Sequence, residues 1–391
     1  MFENLSTLAL QQYLWFIVSF IGAILVFLLF VQGGQVLAIL LAKDEDEKTE
    51  ILNEVGKRYE MTFTSLVVFG GSFFAVFPLF YSTSFGGAFF VWFALLFLFI
   101  VEGVAFKYRK KVSNFLGTKT YEAFLLLNGI GAPLLLGVAV ATFFTGANFT
   151  VAKTNLVSVG DGSLAVSTWN SAFHGFEALW NTNQLAFLTN ISFGLAIVLL
   201  STILAALRVM KNIDDKKLSE RARKSILPLS IAFLVFFLFF VFRLVTIDGF
   251  AYDPVTGMIF MEQFKYLHNL LALPFVTLLL LIGVVLVLAG IGSGYFKGYK
   301  YSFWLAGTGT MGVALALLLL VGYNNTVFYP SLTDLQSSLT IINASSSRYT
   351  LVAIAYATLL APIVLSYVTR VWNALSSDRI SKDSIKKGEV Y

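Results

Sequence analysis

Residues 14–42 read LWFIVSFIGAILVFLLFVQGGQVLAILLA, a stretch without one charged side chain, in which Ser19, Gln32 and Gln35 are the polar positions. A helix rising about 1.5 Å per residue crosses the hydrocarbon of a bilayer with about 20 apolar residues, so this stretch spans with length to spare. Working outward, eight further apolar stretches of spanning length follow, near 62–83, 87–107, 122–145, 184–208, 226–247, 267–290, 301–323 and 350–374. Hydrophobic residues make up 58% of the 391 positions and charged residues 13%. A soluble domain has to wet its own surface and has no use for that balance. The pattern predicts an all-α polytopic membrane protein with nine transmembrane helices. No linker divides it, so residues 1–391 are expected to form one integral membrane domain. Two four-helix bundles plus one peripheral helix is the simplest arrangement.

The basic residues sort by loop. Twenty-three of the 27 Lys and Arg residues fall on alternate connections: Lys43 to Arg58, Lys107 to Lys119, Arg208 to Lys224, Lys297 and Lys300, and the tail from Arg370 to Lys387. The other side keeps Lys153, Arg243, Lys265 and Arg348. The positive-inside rule makes the first set cytoplasmic, with the N-terminus outside and the C-terminus inside. The opening MFENLSTLALQQ lacks a basic region, and the apolar stretch behind it is too long for a signal peptide, so cleavage is not expected. The excess of five positive charges lies in these loops, where it faces anionic lipid heads; nothing here suggests nucleic acid. The run from Lys43 to Glu60 reads as a solvated helix or turn. Residues 146–183, with Trp169 and Trp180 among Asn, Thr, Ser and Gly, suit an interfacial lid on the helix ends.

Polar residues at membrane depth are costly, which makes each a functional candidate. Gln32 and Gln35 flank Gly33 and Gly34. They read either as a close-packed helix seam with bonded amides or as the polar wall of a proton or water path. Glu60 opens the second span after Lys57 and Arg58, and it reads as an interfacial ion pair or as the mouth of a proton path. Glu102 lies about one turn from Lys107 and two from Arg109, for which a buried ion pair is the simpler account. Thr62, with Thr64 and Ser65, extends polar groups from Glu60 along the same span.

Redox cofactors find little to hold them. There is no cysteine, and the two histidines, His174 and His268, fall in an outside loop and at an outer helix end. Met311 is the one methionine well inside a span, with no His facing it. No metal-ligating or nucleophile motif appears, and no strictly catalytic residue is expected.

Several strings carry more. FGGSFFAVFPLFYSTSFGGAF (69–89), FKYRKK (106–111), LLLGVAVATFFTGANF (134–149), TIDGF (246–250), SSLTIINASSSRYTL (337–351), PIVLSYVTRVW (362–372) and RISKDSIKKGEVY (379–391) resemble, in order, segments of subunit II of cytochrome bd-type quinol oxidases. The resemblance runs along nearly the whole chain. It implies a non-heme-ligating subunit of a bacterial plasma-membrane oxidase that couples quinol oxidation to reduction of dioxygen to water. Heme b and heme d would sit in a partner, subunit I, with quinol as substrate and membrane lipid as surroundings; a small single-helix subunit is a further candidate partner. This chain would supply scaffold and part of a cytoplasmic proton path.

The departures from that family bear on the site. Gln32 and Gln35 stand where it commonly carries two carboxylates, and Glu102 where it often has an Arg. Tyr59-Glu60 matches its aromatic–carboxylate pair at the second span. Proton carriage is then expected to fall on Glu60 and Glu102, with Gln32, Gln35 and Thr62 as water-holding groups. A secondary transporter or channel is the competing reading, which Pro78, Pro133, Pro274 and Pro362 within or beside spans would permit. The aromatic, small-residue face around Gly70, Gly71, Ser72, Gly86 and Gly87 is the candidate for tight helix contact.

Overall fold

The quoted stretch folds as Thr7–Leu28 (α1) and Phe30–Leu41 (α2), two helices of one span that meet at Leu29. The Ser6 hydroxyl accepts the Ala9 N–H and caps the first turn. The computed structural model describes residues 1–152, 166–180 and 184–376. Lys153 and the tail residues Arg379, Lys382, Lys386 and Lys387, with the RISKDSIKKGEVY match, lie outside them.

The chain continues through Glu45–Gly56 (α3), Tyr59–Val76 (α4), Pro78–Phe80 (α5), a π-helical turn at Tyr81–Gly86, Phe89–Tyr108 (α6) and Thr118–Thr145 (α7). Gln184–Asn212 (α8), Lys216–Thr246 (α9), Lys265–Ala272 (α10), Pro274–Lys297 (α11), Ser302–Gly322 (α12), Arg348–Ala357 (α13) and Ala361–Ala374 (α14) complete it. Two antiparallel hairpins, Phe149–Val151 with Ser167–Trp169 and Gly249–Tyr252 with Ile259–Glu262, lie in the connections away from the basic loops. Among the described residues, nine helices are long and apolar enough to cross a membrane, as expected.

Proline sets two boundaries differently from the apolar pattern. The second span ends its regular helix at Val76, because Phe77 precedes Pro78 and is driven out of the helical region. The seventh begins at Pro274 rather than near 267, since Leu273 breaks the chain between α10 and α11 for the same reason.

Packing places α8 inside. Most of its apolar window, 78%, is buried, against 28% for α9 and α11 and 11% for the last span. Helix α8 packs against α2, α7 and α9, while α12 packs against α1 and α11. Small residues set these approaches: a Cβ on Gly137 of α7 would stand 2.6 Å from the Cα of Gly194 on α8. The final helix, α14, is exposed over residues 361–370 and docks chiefly through Trp372.

The expectation for the stretch after Lys43 is overturned. Helix α3 is not solvated: Glu47, Thr49, Glu50, Asn53 and Glu54 are all buried against the basic ends of the other helices. Charges from distant loops converge on it. Glu54 Oε1 accepts from Arg58 Nη1 (3.1 Å), Arg208 Nε (2.6 Å) and Asn212 Nδ2 (2.9 Å). Arg109 and Lys48 share Glu45 and Glu122, and Arg221 pairs with Glu47. Trp372 lies against both buried guanidiniums, 4.7 Å from Arg58 and 5.3 Å from Arg208.

At the opposite end the described parts of 146–183 cover the α4–α6 turn, in keeping with a lid. Trp169 Nε1 donates to the Thr83 carbonyl (2.8 Å).

Candidate functional site

The Gln32-Gly33-Gly34-Gln35 segment serves three neighbours at once. A Cβ on Gly33 would stand 2.2 Å from the Ser201 carbonyl of α8, and one on Gly34 would stand 2.3 Å from Val55 of α3. Without side chains there, both helices come up against α2. The glutamines turn to α6, where Gln32 Nε2 donates to Glu102 Oε1 at 3.0 Å and Gln35 Nε2 donates to the same oxygen. Gln32, Gln35 and Glu102 are fully buried. Two adjacent glycines are thus what let a paired amide clamp sit this deep, because either side chain would push α2 off its neighbours.

The simpler account of Glu102, an ion pair with Lys107 or Arg109, is wrong. Arg109 is taken by Glu122 (2.9 Å) and Glu45 (3.1 Å), and Lys107 points outward. No cation is paired with Glu102 among the described residues. The Glu102 carboxyl therefore rests on two amide donors within its span.

Glu60 lies elsewhere. Its carboxylate is exposed and accepts the Tyr59 hydroxyl (3.0 Å), and the Tyr59 ring stacks on Phe106. Of the two expected ion-pair partners, Arg58 turns away, to Glu54 and to the carbonyl of Leu375 and hydroxyl of Ser376. Glu60 shares one stripe of α4 with Thr64, Val67, Gly71 and Phe74, all exposed. Thr62 is buried and donates to the Leu28 carbonyl (3.2 Å). Its hydroxyl thus serves the α1–α2 junction, against the expectation that it holds water beside Glu60. The structure joins Gln32, Gln35 and Glu102 and leaves Glu60 and Thr62 outside that group.

Asn128 was missed from sequence. It is fully buried on α7, and the signal was an Asn-Gly pair inside the apolar run FLLLNGIGAPLLLG. A Cβ on its neighbour Gly129 would stand 2.8 Å from the Gln32 carbonyl oxygen and 3.2 Å from Gln35 Cβ, which puts this turn of α7 against α2.

The glycines expected to form one contact face divide. Nothing lies within 4 Å of a Cβ on Gly71 or Gly86, whereas one on Gly87 would strike Trp169 of the same chain. The histidines are apart. His174 Nδ1 lies 3.1 Å from the Gly87 carbonyl oxygen, and His268 Nδ1 lies 3.0 Å from Glu262. Burial alone would raise the Glu262 carboxyl, but Lys265 and His268 hold it below the usual range. With both imidazoles engaged on separate elements, this donor set does not fit a pair of axial heme ligands.

The chain is 23% identical over 376 residues to cytochrome bd-I ubiquinol oxidase subunit 2 of Escherichia coli K12, covering 92% of this chain and 91% of that one. It is 28% identical over 137 residues to cytochrome bd ubiquinol oxidase subunit 2 of Bacillus subtilis, covering 34% of this chain and 40% of that one. The fold is similar to a chain of the bd oxidase from Geobacillus thermodenitrificans, with a TM-score of 0.51, 12% identity, and coverage of 93% of this chain and 98% of that one. The family model described as cytochrome bd terminal oxidase subunit II matches residues 10–375. With that match over residues 10–375, the chain belongs to the cytochrome bd terminal oxidase subunit II family.

Proposed function

We propose that this chain is the non-heme-ligating subunit of a bacterial plasma-membrane oxidase that oxidises quinol and reduces dioxygen to water. The hemes, b and d, and the quinol site are assigned to the partner, subunit I. Orientation follows the loop charges, with the N-terminus outside and the basic connections in the cytoplasm. A reporter inserted after Lys216 should read cytoplasmic, and an outside reading would overturn that orientation.

Within the complex the chain supplies scaffold and a proton-exchanging group. The observation that supports this is the buried Glu102 carboxylate, held by Gln32 and Gln35 with no cation paired to it among the described residues. Gln32 and Gln35 lost the capacity to ionise that carboxylates would have, and Glu102 restores one titratable group to the same layer. The amides donate to Oε1 and leave Oε2 to take up or release a proton. Glu60, on the open face of α4, is the entry carboxylate, oriented by Tyr59. That face, with Gly71 uncovered, is the surface offered to the partner.

The test is the assembled, heme-replete complex of subunits I and II with Glu60→Gln or Glu102→Gln. Loss of most quinol-driven oxygen consumption in either variant supports the corresponding role. Wild-type turnover from pH 6 to 8 in both would leave this chain as scaffold alone. A transporter would instead purify colourless, without a heme-bearing partner; family membership weighs against it.

A further inference from the structure

Glu102 has more around it than the two amides that grip it. Helices α6 and α7 run antiparallel across the short turn between them. Two contacts fix their register: Gly131 lies against Leu98 (3.0 Å from an added Cβ), and Glu122 pairs with Arg109. Moving one helical turn from the first contact toward the second, on both helices, brings Glu102 level with Asn128. Asn128 is fully buried, and its neighbour Gly129 touches the backbone of Gln32. Four fully buried polar side chains from three helices therefore share one layer of the hydrocarbon.

Their hydrogen bonding is lopsided. Gln32 Oε1, Gln35 Oε1, Glu102 Oε2 and Asn128 Oδ1 all lack a partner among the described residues, with Asn128 Nδ2 as the single unused donor group. Each buried unsatisfied polar atom costs about 1–3 kcal/mol, so a layer with four idle acceptors calls for something positive or proton-donating between them. An ionised carboxylate is dearer still in hydrocarbon, and no side-chain cation is paired with it. Oxygen donors of this kind, a carboxylate with amide carbonyls, suit a hard cation. One carboxylate matches one positive charge; a divalent ion would leave a net charge buried.

We infer that Gln32, Gln35, Glu102 and Asn128 form a buried site where a sodium ion competes with the proton for Glu102. The amide N–H groups keep their bonds to Oε1 while the amide carbonyls and Oε2 face the ion. This rests on the reading of Glu102 as an exchangeable acid. It adds Asn128 as a ligand and predicts that sodium antagonises protonation.

The test labels the assembled complex with dicyclohexylcarbodiimide, an apolar reagent that attacks protonated carboxyls in apolar surroundings. Modification at Glu102 is read by peptide mass spectrometry in sodium, potassium or choline chloride at equal ionic strength. Sodium at ten times its dissociation constant should slow labelling about tenfold relative to choline, by mass action. Asn128→Ala should abolish that protection while Glu102 still labels and the heme spectrum persists. Equal rates in sodium and choline would leave water alone among these groups and overturn the site, as would unchanged protection in Asn128→Ala. Potassium protecting as well as sodium would overturn the assignment to sodium. No labelling in any salt would also overturn the proposal, because an exchangeable acid has to pass through its protonated form. The outcomes separate from those of the proposed function: equal labelling with a dead Glu102→Gln oxidase removes the sodium site and keeps the proton role. Active Glu102→Gln with sodium protection does the reverse.

Discussion

Replacing Glu102 by Gln and by Leu should give opposite results for stability and the same result for turnover. In Glu102→Gln one carbonyl oxygen remains where Oε1 stood, so Gln32 Nε2 and Gln35 Nε2 keep an acceptor. With a proton or a sodium ion neutralising the Glu102 carboxyl, the change replaces one neutralised oxygen acceptor by another, and each amide keeps a bond of about 0.5–1.5 kcal/mol. Heat tolerance should therefore stay near wild type. In Glu102→Leu both amides lose their acceptor within a closed layer. At about 1–3 kcal/mol for each stranded group, the cost comes to about 2–6 kcal/mol. The assay is the temperature at which the detergent-solubilised complex loses its heme spectrum, paired with quinol-driven oxygen consumption. Both variants should lose turnover, and Glu102→Leu alone should lose heat tolerance. Equal destabilisation by Gln and Leu would refute the reasoning, because it would mean that the charge itself, and not the acceptor geometry, holds α2 to α6.

Gly33→Val should reduce yield of the assembled complex severely, since the Ser201 backbone 2.2 Å from the new Cβ has no rotamer to escape into; normal yield by heme content would contradict the close α2–α8 approach. Gly71→Leu meets nothing within 4 Å in this chain, so it should leave the isolated subunit folded and weaken only its capture of the partner in a pull-down; equal capture would remove α4 from the interface. Glu54→Gln leaves Arg58 and Arg208 buried around a neutral group and should cost about 3–5 kcal/mol, read as early thermal loss of the complex, whereas an unchanged melting profile would mean that the arginines find other acceptors.

How much of this was legible in the sequence differs from element to element. The run 14–42 could only be a spanning helix, because an uncharged stretch of that length has one comfortable environment. The same reasoning carries over to the other eight spans, whose existence depends on local composition and not on what they touch. The strings around 69–89 and 337–351 were equally local, and they pointed to the family. Helix α3 shows the limit. Its acidic and basic pattern reads as solvated in isolation, and nothing in residues 43–60 announces that Arg109, Arg208 and Arg221 arrive from three other helices to bury it.

The site shows the same limit more sharply. Gln32, Gln35 and Glu102 each stood out as polar residues in apolar surroundings, but their mutual bonding spans about 70 positions and had no trace in spacing. Nearness along the chain suggested Arg109 for Glu102 and Arg58 for Glu60, but Glu122 of α7 claimed the first guanidinium and Glu54, one turn before Arg58, claimed the second. Asn128 passed unnoticed because one amide in a long apolar helix is common and its significance lies in what faces it. Sequence alone determined that the chain lives in a bilayer, how often it crosses and which lineage it comes from, since transfer free energy adds up residue by residue along a helix. Only tertiary structure decided which polar groups meet, because partner choice inside a membrane is set by close helix packing, and glycines such as Gly33 and Gly34 direct that packing without revealing what they will touch.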